Sequence, residues 1–205
     1  MKNTLIILNP AARGARTQRL RTQVEKLARG TILCATSAAG EAEHLARNAA
    51  AEGYERIVAA GGDGTINEIV NGIAGHNVAL GLLPLGTMNV FATELGLPVN
   101  DLAQCWKIIQ QNRTHHVDLP RANRKHFVQL AGVGLDAQAV KETSRAFKRN
   151  FGPLSYLISA VQIASRTPPV LRIESDEAVR GEGSFVLVGN WRLYGGRFPF
   201  FLLAV

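Results

Sequence analysis

The stretch Ala60-Gly61-Gly62-Asp63-Gly64-Thr65 gathers three glycines, a carboxylate and a hydroxyl within six residues. It follows the apolar run Ile57-Val58-Ala59 and leads into Ile66-Asn67-Glu68-Ile69-Val70-Asn71-Gly72, so it reads as a strand, a glycine turn and a helix starting near Thr65. Glycine tolerates positive φ and, without Cβ, lets a phosphate reach backbone N–H groups. The helix start adds unpaired N–H donors and the positive end of its dipole. The turn is therefore expected to hold an anion. A carboxylate in that place repels phosphate unless a divalent cation stands between, so Asp63 points to Mg2+ held directly or through water. The plainer alternative is a tight turn with Asp63 or Thr65 as N-cap. Three glycines around one acid exceed what a cap requires.

A second loop, Leu83-Pro84-Leu85-Gly86-Thr87-Met88-Asn89-Val90-Phe91, repeats the construction, and in a parallel sheet it would share an edge with the first. Thr87 and Asn89 would then reach the phosphates or the water shell of the metal, or Thr87 is simply an N-cap. The basic loop after the first strand, residues 9–16, offers Arg13 and Arg16 as phosphate clamps, and Thr36 ends the next strand near the same cleft. His115 and His116 are adjacent, so on an extended segment they face opposite ways and do not chelate one ion. Asp118 is a better carboxylate for the surroundings of the metal. Lys141, Arg145 and Lys148 recur at helical spacing with Arg149 beside them, a stripe suited to solvent or to an anionic bilayer.

Positioning these loops requires alternating elements, which the hydrophobic periodicity supplies. Residues 4–8 read as a strand, 17–29 as a helix, 31–35 as a strand, 41–52 as an alanine-rich helix ended by Gly53, 78–83 as a strand, and Leu102, Cys105, Trp106 and Ile109 as a helical face. The expected fold class is α/β: a mostly parallel nucleotide-binding sheet with helices on both faces, ligands at the carboxyl ends of its strands, then an incomplete β-rich, sandwich-like second domain. Residues 125–133 read as one strand, 135–149 as a polar helix, 154–161 as an apolar helical face, and 170–174 and 184–188 as strands around a turn-rich stretch. The division falls between a domain over 1–120 and a partial one over 121–205.

The chain of 205 residues carries a formal charge of +7, which favours anionic partners. No apolar run reaches the ~20 residues needed to span a bilayer. The amino terminus reads as a strand rather than a signal segment, and Cys34 and Cys105 lack metal or disulfide spacing, so a reducing, cytoplasmic setting is expected. Aromatic residues are not clustered among the basic ones, which argues against a nucleic-acid partner.

Together, Asn9-Pro10, the run Gly61-Gly62-Asp63-Gly64-Thr65-Ile66-Asn67-Glu68 and the run Leu82-Leu83-Pro84-Leu85-Gly86-Thr87-Met88-Asn89-Val90-Phe91-Ala92 resemble the diacylglycerol kinase catalytic family, in particular its bacterial soluble lipid kinases. The Gly-Gly-Asp-Gly-Thr core is shared with NAD kinases; the second run is the feature that separates the two. Gly132-Val133-Gly134-Leu135-Asp136 and the stretch from Asn190 to Gly196 fit the second domain, and the likeness reaches about Phe198. It implies ATP and Mg2+ as cofactors, γ-phosphoryl transfer to a lipid hydroxyl and a role in phospholipid biosynthesis. The resemblance places ATP contacts at Thr36, at Gly62, Asp63, Gly64, Thr65, Ile66, Asn67 and Glu68 and at Thr87, with Asp63, Asn89 and Asp118 in a polar network around the metal; the full expected nucleotide-binding set adds Asn9, Arg13, Gly61, Gly86 and Asn89, with Asp63 catalytic and on the metal and Asp118 on it through water. Val90 stands where many members carry Asp. The family's later Asp-Gly and Asp-Gly-Glu segments, the second holding the proposed general base, are absent before Val205, so impaired activity is expected of the chain as written. The reading is a lipid kinase peripheral to the membrane, with room for a homodimer; the alternatives are an NAD kinase-like enzyme and a non-catalytic nucleotide-binding module.

Overall fold

The computed structural model of the protein describes residues 3–10, 15–134, 170–176, 180–194 and 198–201. Contacts divide the chain into two compact units, Met1–Gln129 with Asn190–Val205, and Leu130–Gly189. The first unit holds β1 (Thr4–Leu8), α1 (Ala15–Leu27), β2 (Ile32–Ala35), α2 (Glu41–Ala51), β3 (Arg56–Gly61), α3 (Asp63–Ile73), β4 (Ala79–Pro84), α4 (Val90–Glu94) and α5 (Leu102–Gln110). It continues with the hairpin β5 (Arg121–Ala122) and β6 (Lys125–His126). The second unit holds β7 (Leu130–Gly134), β8 (Leu171–Glu174), β9 (Arg180–Gly183) and β10 (Phe185–Gly189), and the first resumes with β11 (Leu193–Tyr194) and β12 (Phe198–Pro199).

The first four strands are parallel and lie in the order β2-β1-β3-β4. Side chains alternate across a strand, so an apolar run of four is buried only if both faces are covered. That is the case for β1: Leu5 and Ile7 join Ile57, Ala59 and Leu82 beneath α2 and α3, while Ile6 and Leu8 join Val58, Ala60 and Leu83 beneath α1 and α5. The parallel sheet with helices on both faces is thus as the periodicity predicts. On one face α2 and α3 cross closely at Gly72, where a Cβ would overlap the Glu43 carbonyl oxygen and lie 2.8 Å from the Ala46 Cβ. Glycine there lets the glycine-loop helix sit deep on its neighbour.

Several boundaries differ from the sequence expectation. Helix α1 runs two residues earlier than its periodicity suggests, and the helix after the glycine turn starts at Asp63 instead of Thr65. The stretch 125–133 is two strands, not one, because His126 and Val128 are tied to α3 side chains between them. The turn-rich stretch after Glu174 contains β9, which pairs antiparallel with β8. In the second unit β7 pairs antiparallel with β10, so the strands after the parallel sheet form small antiparallel sheets. The helices expected over 135–149 and 154–161 lie outside the described residues, and with them Lys141, Arg145, Lys148 and Arg149.

Candidate functional site

Strand order places the site. From β1 the chain moves outward to β2, and from β3 it moves the opposite way to β4, so the direction reverses between β1 and β3. Open α/β sheets bind ligands in the crevice outside the carboxyl ends at such a reversal. Leu8 pairs with Ala35 and Ala60, and Gly61 with Pro84. One residue further, the N–H of Asn9 donates to Ala60 O at 2.9 Å, that of Thr36 to Leu8 O at 2.8 Å and that of Leu85 to Gly61 O at 2.9 Å. Asn9, Thr36, Gly62 and Gly86 therefore leave the sheet along one edge, with Asn9 and Gly62 at the reversal itself.

The glycines serve contact and not unusual torsion. None of Gly61, Gly62 and Gly64 has positive φ, and Gly62 is extended at φ −98°, ψ −173°, which corrects the expectation from the turn. A Cβ on Gly61 would lie 2.6 Å from Thr65 Oγ1, because the buried Thr65 side chain folds back over it. That hydroxyl accepts from Asn9 Nδ2 at 2.9 Å and so ties the first loop to the glycine loop. Gly62 is the N-cap of α3 without any side-chain cap, and Ile66 N–H is the one that donates back to Gly62 O, at 3.1 Å. The amides of Asp63, Gly64 and Thr65 are those an 11-residue helix leaves open for an anion. Neither Asp63 nor Thr65 is the cap.

The two glycine loops touch through their backbones. A Cβ on Gly62 would lie 3.1 Å from Gly86 Cα, and one on Gly86 would lie 2.6 Å from Gly62 Cα. Asn89, left-handed at φ 49°, closes its loop by accepting from Gly86 N–H at 2.8 Å and donating to Gly86 O at 2.9 Å. Thr87 is exposed and precedes the helix by three residues, so it is not the N-cap; α4 begins at Val90 after Asn89. Asp63 supplies the cap from a distance: its Oδ2 accepts from Val90 N–H and its Oδ1 from Phe91 N–H, both at 3.1 Å. The carboxylate thereby complements the first amides of α4.

Other expected residues are distributed as follows. Ile66 is core, 1% exposed, and Asn67 Oδ1 accepts from Val128 N–H at 3.2 Å. Thr36 is buried, and the loop after it is shaped by Glu41, whose Oε2 accepts from Ser37 N–H at 2.6 Å, the Ser37 hydroxyl at 2.7 Å and Ala38 N–H at 3.1 Å. Those bonds, Ser37 N–H foremost, hold the Glu41 carboxyl below its usual range. Glu68 is partly exposed, His115 and His116 are exposed, and Asp118 is exposed with its carbonyl accepting from Asn190 Nδ2 at 2.9 Å. Arg13 lies outside the described residues. Sequence reading missed Asn71, which exchanges two 2.9 Å bonds with the His126 backbone, and Glu94, which accepts from Leu193 N–H. It also missed Trp191, whose ring meets Phe91 edge-on at 5.8 Å. No local signal marks these three, since their partners are 55 to 100 residues away in sequence.

The family model of the diacylglycerol kinase catalytic domain matches residues 3–122, which contain both glycine loops. The chain belongs to that family. The diacylglycerol kinase of Staphylococcus carnosus (strain TM300) is 35% identical over 196 residues, 92% of this chain and 64% of the relative. That of Bacillus subtilis (strain 168) is 33% identical over 204 residues, 96% of this chain and 67% of the relative. The chain therefore spans about two thirds of the length of these curated relatives. A crystal structure of a diacylglycerol kinase from Bacillus anthracis str. Sterne superimposes with TM-score 0.71 at 25% identity, covering 96% of this chain and 67% of that one. In this diacylglycerol kinase-family chain a Cβ at Gly62 or Gly86 would meet the backbone of the other loop, so the two glycines let the loops abut beside the uncapped start of α3. Among the described residues no group of three or more His, Cys, Asp or Glu gathers to hold a metal. Mg2+ asks for less, since it commonly takes one or two carboxylates with phosphates and water. Each Asp63 oxygen accepts one backbone N–H and has a second lone pair to offer. No helix among the described residues is long and apolar enough to cross a membrane.

Proposed function

We propose that the chain carries the nucleotide-binding part of an ATP-dependent lipid kinase that transfers the γ-phosphoryl group to the hydroxyl of diacylglycerol or a related lipid. The observation that carries the reading is the uncapped amino terminus of α3 at the sheet reversal, flanked by Asn9 and abutted by the second glycine loop. In this reading the amides of Asp63, Gly64 and Thr65 receive the phosphates, with Arg13, Thr36, Glu68 and Thr87 along the nucleotide. Asp63 and, through water, Asp118 face Mg2+. Mg2+ held there would supply neutralisation of phosphate charge; the lipid hydroxyl oxygen bonds to the γ-phosphorus, its proton leaving to water, as the bond to the β–γ bridging oxygen breaks and ADP departs. The nucleotide domain of residues 1–120 would lie in the first unit; of the partial lipid domain expected over 121–205, Leu130–Gly189 forms the second unit while Asn190–Val205 group with the first.

Two measurements test this. Calorimetry with ATP and Mg2+ is expected to give saturable binding, and labelled phosphate is expected in dioctanoylglycerol and not in NAD. Label in NAD alone would replace the reading with an NAD kinase-like one; binding with no transfer to either would leave a nucleotide-binding module. Peripheral membrane contact through Lys141, Arg145, Lys148 and Arg149 belongs to the same reading. Each basic residue near an anionic surface contributes about 1 kcal/mol, within a Debye length of roughly 8 Å at physiological salt. Co-sedimentation with anionic liposomes is expected to fall at high salt and on neutralising the four residues; indifference to both would remove the stripe from the account.

A further inference from the structure

Within the first unit lies a cavity of about 280 Å3 lined by His116, Val117, Asp118, Asn190 and Trp191. We propose that this cavity receives the hydroxyl-bearing glycerol end of a neutral lipid; the assignment rests on the lipid-kinase reading and gives the acceptor its place.

Position comes first. Trp191 on the cavity wall meets Phe91 edge-on at 5.8 Å, and the N–H of Phe91 is held by Asp63 at 3.1 Å. One residue thus separates the wall from the glycine loop. Charge comes second: Asp118 is the carboxylate among the lining residues, and neither Lys nor Arg is there. A phosphate with no divalent cation between is disfavoured beside it, whereas a neutral hydroxyl donates to it well. Asn190 is fixed by donating from Nδ2 to Asp118 O at 2.9 Å and to Val128 O at 3.2 Å, which commits both amide hydrogens and leaves the carboxamide oxygen as an acceptor. The indole supplies an apolar face for the glycerol carbons. Its Nε1 is buried and has no hydrogen-bond partner, a condition that folded proteins usually relieve with water or ligand oxygen. Size comes third. Pockets that enclose a drug-sized ligand measure roughly 300–1,000 Å3, so this one admits a headgroup and leaves acyl chains outside.

The chain has two tryptophans, and Trp106 is 6% exposed in the core, so ligand-dependent emission would report on Trp191. Titration with dioctanoylglycerol is expected to change the emission saturably, and Trp191→Phe to remove the change. Val117 is 41% exposed and spends no side-chain hydrogen bond, so Val117→Phe fills the cavity at little cost to the fold. It is expected to weaken dioctanoylglycerol binding at least tenfold while calorimetric Mg2+–ATP affinity stays within twofold. Glycerol 3-phosphate, carrying charge, is expected not to compete. Unchanged binding in Val117→Phe, or no saturable signal in the unsubstituted chain, overturns the assignment; parallel loss of ATP affinity gives the cavity to the nucleotide instead. Because the readout needs no turnover, lipid bound in the cavity without phosphate transfer sinks the kinase reading alone, and transfer that Val117→Phe leaves untouched sinks this one alone.

Discussion

Asp63→Ala is expected to lower unfolding stability by roughly 2–4 kcal/mol, the scale of losing two hydrogen bonds to a charged acceptor. The removed oxygens accept from Val90 and Phe91 N–H, and alanine brings no acceptor in their place. Helix α4 has five residues, too few to hold itself, so it depends on that cap and on Phe91 and Ala92 in the core. Loosening it would also release Glu94 from Leu193 N–H. ATP affinity is expected to fall with stability. Asp63→Asn separates capping from metal binding: it keeps the size and one acceptor oxygen, so a metal role shows as a tenfold or greater rise in the Mg2+ concentration needed for ATP binding. Urea unfolding and calorimetry across Mg2+ concentrations are the measurements. Wild-type stability in Asp63→Ala would refute the capping account.

Gly86→Ala is expected to cost about 1–3 kcal/mol and at least tenfold in ATP affinity, as overpacking of a tight contact does. The added methyl would lie 2.6 Å from Gly62 Cα and 2.7 Å from Asn89 Oδ1, the first being backbone and the second pinned by two bonds to Gly86. The loops must part. Gly62→Val presses on the same contact from the other side, starting from 3.1 Å. Gly64→Ala is the control, because nothing lies within 4 Å of its Cβ and its φ is not positive. Its stability is expected within about 0.5 kcal/mol of the unsubstituted chain. Equal effects at Gly64 and Gly86 would show that glycine is required for backbone freedom, and the close-contact explanation would fail.

The sequence by itself determined the elements and their kind. Apolar runs such as Leu5-Ile6-Ile7-Leu8 demand a strand covered on both faces, and Gly53 at φ 85° ends α2 where its position suggested. The two glycine loops and Asn9 were legible as a set because the family motif is local and contiguous. Tertiary structure alone decided how they are used. Strand order β2-β1-β3-β4 is a choice among permutations that hydrophobic periodicity leaves equal, yet it fixes the reversal at Asn9 and Gly62. The need for glycine came from a neighbouring loop's backbone, and Asp63 found its partners 27 and 28 residues downstream. Asn71 and Trp191 acquired their roles the same way, through segments brought alongside by the chain's path. Spacing along a chain encodes local geometry; a contact between loops exists only once strand order and register have set them side by side.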